Sequence, residues 1–303
     1  MPSEHGPAQP SISVVIPTYQ RPGPLADCLG ALARQDFDRE RFEVVVVDDG
    51  GAVPLDAVVD SFRDRLTIRL LRQDNAGPGA ARNTGAREAR GRHLAFTDDD
   101  CLPEPGWLAA LERVFESSPE AMVGGRIVNS LDDNVFAAAS QTISDVAYDH
   151  FNDADGNARF ISSNNMGLPA EVFREIGGFD ASFRIASEDR ELCDRWLSLG
   201  RRIVYAPDAG ILHAHRLTFA SFCRQHFNYG RGARRFHSLR AARGSGRLGR
   251  DVAFHGSFLW RVRTPLARMR AWARIQVAAL LVVWQIANAA GFAYEAYRER
   301  GTA

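Results

Sequence analysis

The chain has 303 residues, 45% apolar and 24% charged, which suits one large or two small globular domains and excludes a disordered or fibrous protein. Cys28, Cys101, Cys193 and Cys223 stand far apart with no CxxC pair, which argues for reduced thiols in a cytosolic setting and against a disulfide framework or zinc site. Zero net charge hides an asymmetry: residues 1–219 carry 22 Arg and 34 acids, residues 220–274 carry 13 Arg against Asp251 alone, and there is no Lys, so an acidic body precedes a basic segment.

Residues 1–10 are Pro-rich and polar and read as a loose tail without a secretory signal. Ser11 to Ile16 reads as a buried strand that turns out at Pro17-Thr18-Tyr19. Leu25, Cys28, Leu29 and Leu32 then recur at helical spacing. Phe42 to Val47 is a second strand, with four successive Val residues and no polar alternation, as in a parallel sheet covered on both faces. It ends in Asp48-Asp49-Gly50. Leu55, Val58, Val59 and Phe62 mark a helix, Thr67 to Leu71 a strand, and Ala80 to Arg90 a helix of small residues. Leu94 to Phe96 is an apolar run that ends in Asp98, Asp99 and Asp100. The alternation predicts a doubly wound, mostly parallel α/β sheet. Beyond Pro119 the pattern loosens: a strand over Met122 to Val128, a helix or irregular cover over Phe136 to His150, a helix over Glu188 to Leu199, and a strand over Arg202 to Ala206. The body is expected to end near residue 218.

Three strand ends therefore present Pro17-Thr18-Tyr19, Asp48-Asp49 and Asp98-Asp99-Asp100 at one sheet edge, where ligands sit in open α/β sheets. Adjacent carboxylates repel one another, and a divalent cation with oxygen preference, Mg²⁺ or Mn²⁺, relieves this. An acidic turn capping the next helix is the structural alternative. Carboxylates suit a nucleotide's base and ribose, and Arg82 suits a phosphate. Gly77, Gly79 and Gly85 let backbone approach closely. Asn164 and Asn165 suit sugar hydroxyls or a turn, and Trp107 reads as core.

In order, Val14-Val15-Ile16-Pro17-Thr18-Tyr19, Val46-Val47-Asp48-Asp49-Gly50, Ala81-Arg82-Asn83-Thr84-Gly85, Phe96-Thr97-Asp98-Asp99-Asp100 and Ser187-Glu188-Asp189 resemble family 2 glycosyltransferases over residues 11 to 218. The resemblance implies a GT-A fold and inverting transfer of a sugar from a nucleotide-sugar donor. A nucleotide-binding half would span about 11–118 and an acceptor half about 119–218. It assigns Asp98 and Asp100 as the DxD pair, with Asp100 the foremost metal ligand and Asp99 a second donor contact. Asp49 would bind the base, Asp189 would be the general base beside Glu188, and His213 a late metal ligand, with His215 two residues on. Gly177-Gly178-Phe179-Asp180 would face the acceptor, or serve as a helix cap and turn. Gly51-Ala52 departs from the usual Ser-Thr. A helix-dipole role for Glu188 and Asp189, and an ordinary core or surface role for His213, are the structural alternatives.

Residues 219–303 read as a helical extension in which Arg and aromatics interleave before Ile275 to Tyr294, 20 residues without a charge, broken by Gln276, Gln285 and Asn288. Three placements stay open: lying in a membrane interface, spanning it, or packing on the body or a second subunit. No RNP, KH or zinc signature accompanies the basic segment, so no nucleic-acid partner is expected. The expected protein is a metal-dependent glycosyltransferase, peripheral on the cytoplasmic face of the membrane, acting on a lipid-linked or cell-envelope glycan. The rivals are a nucleotidyltransferase, whose basic Gly-rich signature Arg21 and Gly23 only faintly echo, and a catalytically idle binding module.

Overall fold

Val44 and Val46 join Ile12, Val14 and Ile16 in one buried layer, while Val45 and Val47 join Val15 in another on the opposite side of the sheet. Two covered faces leave no position for polar alternation. The computed structural model that shows this describes residues 9–131, 133–152, 158–246 and 249–301, so most of the expected N-terminal tail lies outside the described residues.

Strands β1 (Ile12–Thr18), β2 (Phe42–Asp48), β3 (Ile68–Arg72) and β4 (His93–Thr97) pair in parallel in the order β3-β2-β1-β4. Helices α1 (Pro22–Leu32), α2 (Asp56–Asp60) and α3 (Pro78–Glu88) make the crossovers. The small residues of α3 have a packing reason. A Cβ on Gly85 would overlap Val15 of β1, so this glycine serves helix–sheet contact rather than ligand approach.

Past β4 the sheet becomes mixed. It contains β5 (Cys101–Pro103), β6 (Met122–Asn129), β7 (Asn165–Pro169) and β8 (Ile203–His213), in the full order β3-β2-β1-β4-β7-β6-β8-β5. β7 runs antiparallel to β4 and β6, and β5 antiparallel to β8. β8 is longer than the Arg202 to Ala206 expected. After a bulge between Gly125 and Ile127, Ile211 to His213 pair with Ile127 to Asn129 on one side and with β5 on the other. Helix α4 (Trp107–Ser117) joins α1 and α2 on one face; α6 (Ala170–Glu175) and α7 (Glu188–Ser198) join α3 on the other. Gly177 and Gly178, both at positive φ, end α6 as a cap.

Helix α5 (Val135–Phe151), the region left between helix and irregular cover, is a full helix because the Asn134 side chain caps it by accepting the Ala137 N–H at 2.8 Å. It packs with α8 (Phe219–Arg243), α9 (Gly249–Arg261), α10 (Arg263–Ala267) and α11 (Ala271–Gly301) around a third apolar cluster that includes Val146, Phe222, Phe258 and Trp284. α8 and α11 cross at Gly230 and Gly291, where a Cβ on either would overlap the other helix's backbone. One face of the uncharged run is thus packed. The other leaves Trp272, Ile275, Val282 and Ile286 more than 60% exposed. By length and composition α11 is able to cross a membrane. The basic segment is partly neutralised from within: Arg231 pairs with Glu295 at 2.6 Å, Arg234 with Glu299 at 2.8 Å, and Arg243 with Glu191 and Asp194 of α7 at 2.5 and 2.9 Å.

Candidate active site

Parallel register sets Thr18 level with Asp48, and β4 delivers the Asp triplet beside them. The Thr18 hydroxyl donates to Asp99 at 2.6 Å. Arg21, at the start of α1, donates to both Asp99 and Asp100, reaching Asp100 Oδ2 at 2.8 Å. Asp99 is fully buried, and burial pushes its carboxyl up to about 7 against the opposing pull of Arg21 and Thr18. Burial acts on Asp100 in the same direction, yet His213, Arg21 and His215 outweigh it and hold Asp100 well below the usual carboxylate range.

The β5–β8 pairing sets Cys101 opposite His213, and this carries the late histidine to the triplet. His213 Nε2 lies 3.4 Å from Asp100 Oδ1, a buried oxygen with no hydrogen-bond partner. Ligating atoms of Asp100, Cys101 and His213 lie within 4.8 Å of one another. Burial keeps the Cys101 thiol protonated, so the donor set is one carboxylate oxygen and one imidazole, which fits Mn²⁺ or Mg²⁺ completed by ligand oxygens. His215 stacks obliquely on His213 at 5.1 Å. Asp98 lines the same cavity, and its Oδ1 accepts from Arg82 at 2.6 Å.

Arg82 differs in placement from a free phosphate ligand. It is 2% exposed and donates to Glu188 at 2.9 Å with its other terminal nitrogen, so it ties the end of β4 to the start of α7. Desolvation opposes its charge, but Asp98 and Glu188 more than offset that and raise its pKa. Burial, then the neighbouring Asp189, pushes the Glu188 carboxyl up from 4.5 to about 7. Burial also raises Asp189, against the Arg190 N–H that its carboxylate accepts at 2.7 Å. Ser187, just before them, has φ +75, a left-handed conformation costing a non-glycine residue on the order of 1–3 kcal/mol. α8 braces this turn, since Gly232 lies directly on Ala186 and Ser187.

The remaining sequence-assigned residues divide. Pro17, Thr18, Tyr19, Asp49, Arg82, Asp98, Asp100, Glu188, Asp189 and His213 line one cavity of about 1210 Å³. Asp48 turns back to accept the Gly51 N–H at 2.9 Å and caps its own turn. Asp49 accepts from Gln73, Ala76 and Gly77 at 2.7 to 2.9 Å, so it orders the loop that borders the cavity. Asn165 is consumed by Trp107, Arg126 and Ala209, whereas buried Asn164 keeps an unpartnered Oδ1 on the cavity wall. Sequence reasoning missed the bracing role of Arg21, for which no spacing gave a signal. It also missed Gln225, Tyr229 and His237, which follow one another by four and then eight residues inside the basic segment.

The family model described as "Glycosyl transferase family 2" matches residues 13–177. The pre-mycofactocin glycosyltransferase of Mycobacterium tuberculosis is 28% identical over 233 residues, 75% of this chain and 48% of that protein, so the chain spans about half that relative's length. Glycosyltransferase AglE of Haloferax volcanii is 27% identical over 231 residues, 74% of this chain and 73% of AglE. Among solved structures, mannosyltransferase PcManGT from Pyrobaculum calidifontis, in complex with GDP-Man and Mn²⁺, superposes with a TM-score of 0.67 at 18% identity, covering 98% of this chain and 91% of that one. S. aureus TarS 1–349 gives 0.60 at 17% identity, covering 92% and 81%. At these identities the superpositions establish a shared fold.

Proposed function

Because this chain belongs to glycosyl transferase family 2, with a GT-A fold, we propose that it transfers a sugar, with inversion, from a nucleotide-sugar donor to an acceptor hydroxyl. The observation that carries the reading is that one cavity joins the Asp100–His213 pair to the Glu188–Asp189 pair. A divalent cation held by Asp100 and His213 would stabilise the charge that develops on the departing diphosphate. Thr18, Tyr19 and the loop ordered by Asp49 would seat the nucleoside. Arg21 and Thr18 hold the Asp99 and Asp100 carboxylates in place through the hydrogen bonds described above.

Asp189 takes the acceptor hydroxyl proton as that oxygen bonds to the anomeric carbon. The bond from that carbon to the diphosphate breaks, and the diphosphate leaves with the electron pair. A carboxyl raised by burial is a stronger base than one in water, and this is what the step requires. Glu188, ion-paired to buried Arg82, fixes the start of α7 beside the base.

The exposed apolar stripe of α11, with Arg268, Arg270 and Arg274 at its N-terminal end and Arg298 and Arg300 at the other, fits a helix lying in a membrane interface while its opposite face stays on α8. This supports a peripheral enzyme on the cytoplasmic face acting on a membrane-borne glycan.

The test incubates the full chain with Mn²⁺ and UDP-, GDP- or dTDP-sugars and analyses the products. Release of nucleoside diphosphate with an inverted anomeric centre is expected. Asp189→Asn should cut turnover by about 10²-fold or more while donor affinity holds. Pyrophosphate release, or full turnover in that variant, would overturn the assignment.

A further inference from the structure

The residues assigned to the donor occupy one end of the cavity. From Asp189 it runs past Asn164 into a cleft between α5 and the crossed pair α8–α11. Its volume of about 1210 Å³ exceeds the ~300–1,000 Å³ usual for one small-molecule ligand, which leaves room for a second molecule beside the donor.

The walls of that cleft are sorted by chemistry. None of the arginines of α8 lines it; the helix turns Gln225 and Tyr229, four residues apart, toward it instead. α11 contributes Gln285 and Asn288, two of the three amides that interrupt its uncharged run. An amide in an apolar helix costs free energy unless it finds partners: Asn288 Nδ2 donates to the His226 carbonyl of α8 at 3.5 Å, and Gln285 borders the cleft. α5 adds the hydroxyl of Ser140, which lies 3.3 Å from His226 Nε2 and accepts from Gln225 at 3.2 Å. The Tyr229 ring, 46% exposed, stands edge-on against His226 at 5.5 Å and so presents a steadied aromatic face.

Charge narrows the occupant. Asp145 and Asp149 on α5 and the Glu188–Asp189 pair repel an anion. Of the basic groups beyond the donor end, Arg126 pairs with Glu104 at 2.9 Å and Arg190 lies over the Phe236 ring at 4.6 Å, while His226, His237 and His255 add imidazoles to the wall. Amides, a hydroxyl and an exposed ring beside these carboxylates suit an uncharged, hydroxyl-rich partner. Where the cleft meets Asp189, Asn164 forms part of the wall, its Oδ1 buried and without a hydrogen-bond partner.

We infer that the cleft between α5 and α8–α11 is the acceptor subsite, taking the neutral saccharide part of a glycan with Tyr229 as its stacking face. This rests on the transfer reaction proposed above. It makes the C-terminal helices part of the acceptor site, which the sequence had placed before residue 219.

The experiment uses the full chain with Mn²⁺, radiolabelled UDP-glucose, UDP-GlcNAc and GDP-mannose, and a panel of neutral, carboxylated and phosphorylated oligosaccharides. Tyr229→Ala removes the ring, and Ala233→Arg fills the same wall one turn on. Label is expected on neutral glycans. The acceptor KM should rise about fivefold or more in Tyr229→Ala, the scale of one lost aromatic contact, and transfer should fall further in Ala233→Arg. Calorimetric affinity for Mn²⁺ with UDP or GDP should match wild type in both, which also shows that they fold. Unchanged acceptor KM in both variants, nucleotide affinity falling in step with KM, or label only on anionic glycans would overturn the subsite. Failure of every nucleotide sugar to release nucleoside diphosphate would instead remove the transfer reading itself.

Discussion

Replacing Arg82 by Met tests the link between the two halves of the site. The side chain is 3% exposed, and its guanidinium faces Asp98 and Glu188. Methionine fills similar space but removes the positive charge. Asp98, 28% exposed, recovers water, whereas Glu188, 9% exposed, is left with Asp189 as its neighbour. Breaking a buried pair by removing one partner costs about 3–5 kcal/mol.

That loss should depend on pH, with a definite sign. Glu188 already sits at about 7 in the folded protein against 4.5 ordinarily, and removing Arg82, which lowers it, moves it higher. A carboxyl raised on folding binds more protons in the native state, so stability is retained below about 4.5 and declines as pH rises through the folded value. Arg82→Met should therefore be most destabilised at pH 8 and close much of its deficit by pH 5, where Glu188 is protonated. Urea titration of both proteins at the two pH values measures this. Adding Glu188→Gln should recover most of the loss at pH 8, giving a coupling of about 0.5–3 kcal/mol in a double-mutant cycle. Equal deficits at both pH values, or no recovery with Glu188→Gln, would refute the idea that Arg82 compensates a buried charge.

Asp100→Asn and His213→Ala should each weaken Mn²⁺ binding measured by calorimetry with UDP present, while Asp98→Asn, whose carboxylate faces Arg82, should weaken it less; equal effects of all three would reassign the ligands. The acid limb of the turnover–pH profile should lie above the ordinary carboxylate range, because burial raises Asp189 and its proton must be gone for it to act; a limb near 4 would exclude it as the base. Ile275→Glu with Ile286→Glu, both on the exposed stripe of α11, should abolish flotation with anionic liposomes and leave the thermal unfolding profile in place; unchanged flotation would remove the stripe from the membrane contact.

The chain's own residues were enough to read the parallel half of the sheet and the edge where its strands end. A four-Val run without alternation is stable only between two apolar layers, and acids that directly follow such strands emerge together at their carboxyl ends. The Asp triplet, Thr18 and Asp49 were legible at that edge for that reason; the Glu188–Asp189 pair opens a helix instead, and the resemblance rather than local pattern singled it out. What local pattern leaves open is which partner each polar group meets. Arg82 sits between two carboxylates 16 residues downstream and 106 residues downstream of it, and Arg21 braces a triplet 78 residues away. His213 reaches Asp100 because β8 runs past its expected end and pairs with β5. Likewise, the uncharged run of α11 carried the same apolar signal on every face. Only the crossing at Gly230 and Gly291 separates the stripe that packs, the stripe that stays exposed and the amides that face the cleft. Side-chain periodicity is a property of one helix or strand, whereas charge pairing and burial depend on distances between elements, which arise only when the sheet and its covering helices assemble.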